Sequence, residues 1–127
     1  MSEATVNVRY MVEDVETAID WYTRYLGFSL LSNQAPAFAD VKLGSLRLLL
    51  SGPTSSAGRA MSDGEQPRPG GWNRIHLVID DLPAEVARLR GAGATFRNEI
   101  VTGPGGSQIL LVDPSGNLVE LFQPARH

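Results

Sequence analysis

Shifting the chain by 67 residues lays its second half over its first: Val8 falls on Ile75, Val12 on Ile79, Asp14 on Asp81, Val15 on Leu82 and Ile19 on Val86. This tandem repeat constrains the fold more than any single motif does. Each copy is about fifty residues long, and a unit of that size with an apolar sheet face is expected to pair with its twin.

Both copies read as strand, helix, then three strands. From Thr5 to Val12, Val6, Val8, Tyr10 and Val12 alternate with Asn7, Arg9 and Met11, which predicts a strand with one core face and one mixed face. Asp14 then stands as N-cap of a helix with Val15, Ala18, Ile19, Tyr22 and Leu26 at helical spacing, and Gly27 closes it. Trp21, Tyr22 and Tyr25 on that helix read as packing aromatics. Strands are expected at Phe28 to Leu31, Ala37 to Leu43 and Leu46 to Leu50, with Gly44-Ser45 as a turn.

In the second copy Ile75, Leu77 and Ile79 alternate with Arg74, His76 and Val78. Asp81 caps a helix carrying Leu82, Val86, Leu89 and Ala92 on one face, and Gly93 stops it. Thr95 to Val101 is expected to be a strand. Gly103-Pro-Gly-Gly106 is read as a turn, because no helix follows whose amides would bind a phosphate. A closing hairpin turns at Asp113-Pro-Ser-Gly116, and its last strand sets Leu118, Glu120 and Phe122 opposite Val119 and Leu121. Asp80, Asp81 and Asp113 read as turn and cap residues.

The expected architecture is α+β: one domain over 1–127, with module one at 5–50, a connecting segment at 51–71 and module two at 72–124. Two tandem βαβββ modules would form a curled mixed sheet around a cleft, lined by the mixed faces of the two first strands. The segment 51–71 is rich in Ser, Gly, Pro and charge and lacks periodicity, so a linker and a mobile lid are both open readings.

Composition narrows the function classes. A formal charge of -3 with scattered Arg residues argues against nucleic acid as a partner. Without cysteine there are no disulfides, thiolate metal sites or Cys nucleophile. No apolar run approaches the roughly 20 residues of a membrane span, and Met-Ser-Glu-Ala is not the basic start of a secretory signal, so a cytoplasmic protein is expected.

Glu120 is the anomaly: a carboxylate between Val119 and Leu121 either faces solvent or points into a cavity that gives it a partner. The stretches Val12-Glu-Asp-Val15, Trp21-Tyr-Thr-Arg-Tyr-Leu-Gly-Phe28, Ile79-Asp-Asp-Leu82, Leu89-Arg-Gly-Ala-Gly93 and Asp113-Pro-Ser-Gly-Asn-Leu-Val-Glu-Leu-Phe122, in this order, resemble the vicinal oxygen chelate superfamily. That family includes glyoxalase I, extradiol dioxygenases, fosfomycin-resistance enzymes and bleomycin-binding resistance proteins. The resemblance covers nearly the whole chain and implies paired βαβββ modules and, in many members, a homodimer.

In the metal-dependent members, each module's first strand gives a His or similar ligand and its last strand gives a Glu. Carried over, the four positions fall at Asn7, near Leu48, at Arg74 and at Glu120. Only Glu120 is a good ligand; Arg74 is a fixed cation that repels an ion. His76, on the same strand face as Arg74, is a rescue candidate, but two ligands rarely hold a metal. No metal or other cofactor is therefore expected. An ion pair between Arg74 and Glu120 in the former metal site is expected instead.

The candidate ligand-binding residues are Asn7, Arg9, Trp72, Arg74, His76 and Glu120, and the candidate catalytic residues are His76, Glu120 and Arg74. His127, the other histidine, ends the chain. Three functions follow. The first is a small-molecule-binding protein of the bleomycin-resistance kind with an apolar or aromatic ligand. The second is a metal-independent lyase or isomerase, with His76 or Glu120 as base and Arg74 stabilising negative charge. The third, a metal-dependent glyoxalase or dioxygenase, is the one the missing ligands oppose.

Overall fold

The computed structural model of the chain describes residues 3–126, so His127 lies outside the described residues. The chain divides into two compact units with the boundary between Pro69 and Gly70. Both are α+β units built on a mixed sheet.

Unit one runs β1 (Val8–Met11), α1 (Val15–Leu26), β2 (Ser29–Gln34), β3 (Phe38–Leu43) and β4 (Leu46–Ser51). Its sheet order is β1-β4-β3-β2, with β1 parallel to β4 and the other pairs antiparallel. Asp14 caps α1 by accepting from Thr17 N at 3.1 Å, and Gly27 ends it with φ 73°. The helix lies on β2, β3 and β4. Val15, Ala18, Ile19 and Tyr22 of the helix are buried, as are Ala39, Val41, Leu48 and Leu50 of the sheet. Trp21, Tyr22 and Phe28 add edge-to-face contacts, with Trp21–Tyr22 centroids 4.7 Å apart and Tyr22–Phe28 5.5 Å apart, each contributing about 1 kcal/mol beyond area burial.

The segment after β4 is organised by its own side chains. The Ser55 hydroxyl donates to Gly52 O (2.6 Å) and accepts from Gly58 N (3.1 Å), which closes a 3-10 turn over Ser56–Gly58. Gln66 Nε2 donates to Gly58 O, and Met61 N donates to Glu65 O at 2.7 Å.

Unit two runs β5 (Arg74–Val78), α2 (Leu82–Gly91), β6 (Thr95–Phe96), β7 (Val101–Gly103), β8 (Gly106–Val112) and β9 (Leu118–Pro124). The order β5-β9-β8-β6, with β5 parallel to β9 and β7 also on β8, repeats the topology of unit one. Asp81 caps α2 through Ala84 N (3.1 Å). Gly93, at φ 97°, donates to Arg90 O while Ala94 N reaches Leu89 O, the paired bonds of a Schellman end.

One expected strand is corrected. Thr95 to Val101 is not continuous: Leu110 N donates to the Asn98 side-chain oxygen at 2.9 Å instead of to a backbone carbonyl, and the chain leaves the ladder until Val101. Among the described residues no helix is long and apolar enough to cross a membrane.

Candidate functional site

The parallel register of β5 on β9 sets His76 opposite Glu120 and Arg74 opposite Leu118, so the three polar side chains share the sheet face away from the Ile75 and Val119 core. Glu120 is only 7% exposed. A carboxylate at that depth costs several kcal/mol unless it is paired. Arg74 supplies the pair: Nε donates to Glu120 Oε1 at 3.0 Å, and Nη2 stands 3.0 Å from the same oxygen. Its third nitrogen, Nη1, donates to Trp72 O at 3.2 Å.

His76 completes the cluster from the neighbouring position. Its Nε2 lies 3.6 Å from Glu120 Oε2, beyond a direct hydrogen bond, and its ring leans on Phe122 with centroids 4.8 Å apart. Trp72 is 64% exposed, and the Arg97 guanidinium carbon sits 5.6 Å from its ring centroid, a cation–π distance. Trp72, Arg74, His76 and Glu120 are thus neighbours in unit two.

Asn7 and Arg9 fall in unit one, where they line a cavity of about 330 Å³. Its floor is the sheet face opposite α1. The register there corrects one placement: Arg9 pairs with Leu49 as His76 pairs with Glu120, so the counterpart of Glu120 is Leu49, not Leu48. A one-residue shift reverses the face, and Leu48 is wholly buried in the core while Leu49 lines the cavity.

The same cavity holds residues that the sequence reading passed over. Asp40, 5% exposed and set between Ala39 and Val41, is neutralised by Arg47 on the adjacent strand. The signal was present, since Asp40 interrupts an apolar strand as Glu120 does. Ser51 and Ser55 also line this space.

The model of the Glyoxalase/Bleomycin resistance protein/Dioxygenase superfamily matches residues 5–121. The chain belongs to that superfamily. Lactoylglutathione lyase from Agrobacterium tumefaciens has a similar structure, with TM-score 0.76 and 20% identity over 97% of this chain and 95% of that one. TioX from Micromonospora sp. ML1 is similar at TM-score 0.75 and 22% identity, covering 97% of this chain and 100% of its own. TnmS3, an antibiotic binding protein from Streptomyces sp. CB03234, gives TM-score 0.70 and 26% identity over 98% of this chain and 100% of that one. Among curated proteins none matches.

The divalent ion used by metal-dependent members of the superfamily does not fit the residues present. Glu120 Oε1 already faces two guanidinium nitrogens, and the positions matching the other ligands carry Asn7, Leu49 and Arg74. Among the described residues no group of three His, Cys, Asp or Glu side chains is placed to hold a metal. An amide, an alkyl chain and a guanidinium do not make an ion site around one carboxylate.

Proposed function

We propose that this chain is a small-molecule-binding protein of the bleomycin-resistance type, which takes an apolar or aromatic ligand without a metal. The observation that carries this reading is the Arg74–Glu120 pair, which satisfies with a fixed cation the one carboxylate an ion would need. A cavity of about 330 Å³ with Phe38 and Leu49 in its lining supports a small ligand, since such sites span roughly 300–1,000 Å³. The likeness to an antibiotic binding protein at 26% identity supports the same class.

A metal-independent lyase or isomerase is the second reading, favoured by the imidazole of His76 beside the Glu120 carboxylate. It asks Arg74 to stabilise negative charge on an intermediate. All three guanidinium nitrogens are already engaged within the protein, and this favours binding over catalysis.

Titrating a small-molecule library against Trp fluorescence, with mass spectrometry of every bound compound, separates the two. Saturable binding with the compound recovered unchanged is the expected result. Turnover that His76→Ala abolishes while affinity is retained would establish the enzyme instead. A homodimer in the cytoplasm belongs to the same proposal, and a monomer in sedimentation at micromolar concentration would remove its dimer.

A further inference from the structure

The unit-one cavity is charged unevenly. Two guanidiniums, Arg9 and Arg47, line it against one carboxylate, Asp40, and Arg47 is taken up by Asp40. Arg9 makes no ion pair or hydrogen bond among the described residues. One positive charge is left over at the cavity.

The acceptors are uneven too. Asp40 uses Oδ2 for Arg47, while its Oδ1 accepts no hydrogen bond among the described residues although the side chain is more than nine-tenths buried. The hydroxyl of Ser51, a residue 2% exposed, is likewise without a side-chain partner among them. No described side-chain polar atom is both fully enclosed and unbonded. These two oxygens therefore open onto the cavity they line.

Register sets the spacing between donor and acceptors. Arg9, Leu49 and Asp40 form one row across β1, β4 and β3, and Ser51 and Phe38 form the next. Adjacent strands lie about 4.8 Å apart, so the row places Arg9 and Asp40 about 10 Å apart at the backbone, with apolar Leu49 between them. A flat ring lying over Leu49 with Phe38 at its side meets a cation at one end and two acceptors at the other.

We infer that this cavity binds aromatic monoacids that carry a neutral hydrogen-bond donor, such as a hydroxyl, at the end opposite the acid. The carboxylate pairs with Arg9, and the donor satisfies Asp40 Oδ1 or the Ser51 hydroxyl. Asp40 is already balanced by Arg47, so a neutral donor suits it better than a second cation. This rests on the binding reading proposed above and names the ligand class.

The probes are 4-hydroxybenzoate, its methyl ester and 4-methoxybenzoate, titrated into the whole chain by calorimetry and two-dimensional amide NMR. The acid is expected to bind and to shift the amides of Asp40, Leu49 and Ser51. The ester and the methoxy compound should each bind about tenfold more weakly, and Arg9→Gln should weaken the acid about tenfold while leaving the ester unchanged. Arg9 is exposed, so the variant is expected to stay folded, which its amide spectrum checks. Equal affinity for acid and ester, an Arg9→Gln variant that binds the acid normally, or no binding of the acid overturns the inference. If a neutral library compound still binds saturably, only the ligand class falls; if no compound binds at all, the binding reading falls with it.

Discussion

Arg74 holds Glu120 by a single carboxylate oxygen: Nε and Nη2 both lie 3.0 Å from Oε1, and Oε2 is left toward His76 Nε2 at 3.6 Å. The guanidinium is fixed from its other side by the Trp72 carbonyl. The buried carboxylate is thereby paired with a cation from the same unit.

Arg74→Ala removes that cation and leaves Glu120 buried alone. A loss of about 3 kcal/mol is expected, read as a lower denaturant midpoint, because the buried carboxylate loses its bonded cation while Arg74 itself is only partly covered. Replacing both, with Arg74→Met and Glu120→Leu, should recover most of the loss. A single variant within about 0.5 kcal/mol of the parent would mean that the pair is only a surface contact.

Arg74→His tests the metal-free proposal, in which the residue at position 74, and not the fold, decides whether an ion binds. Imidazoles at positions 74 and 76 would share a strand face with Glu120, giving three donors of the kind that zinc and nickel accept. Calorimetry should then register ion binding in the variant and none in the parent. Binding by both, or by neither, contradicts this view.

Much of the fold was legible because its signals are local. Asp14, Asp81, Gly27 and Gly93 bracket the helices, and alternation through Ile75, Leu77 and Val119 marks the strands. Glu120 stood out for the same reason, as one charge in an apolar run. What escaped depends on pairing. Leu48 and Leu49 cannot be told apart until β1 is laid parallel to β4, and Arg47 shows its purpose only once it faces Asp40 across the strands. The break at Asn98 and the order imposed by Ser55 and Gln66 arise from side chains bonding to backbone, which leaves no periodic trace.

Gly58→Ala should disrupt the wall of the unit-one cavity. A methyl group there would overlap the Gly52 carbonyl and lie 3.0 Å from Pro53 O, so the 3-10 turn must move. A loss of about 2 kcal/mol is expected, along with weaker ligand binding. Gly105→Ala meets nothing within 4 Å and should change stability by less than about 0.5 kcal/mol. Equal effects of the two would remove the close-approach argument.

The caps carry a smaller, separable prediction. Asp14→Ala and Asp81→Ala each remove one acceptor for a first-turn amide, at 3.1 Å in both helices, and each should cost about 1 kcal/mol. Thermal melts should show similar shifts for both and a near-additive double variant, since the caps lie in different units.

The most direct measurement is the affinity of a library hit for protein stripped with chelator, compared with the same protein supplied with zinc, nickel or manganese. A metal-free binder predicts one dissociation constant throughout, with the compound recovered intact. Binding or turnover that appears only when the ion is added, and that Glu120→Ala abolishes, would contradict the assignment of Arg74 as the cation of this site.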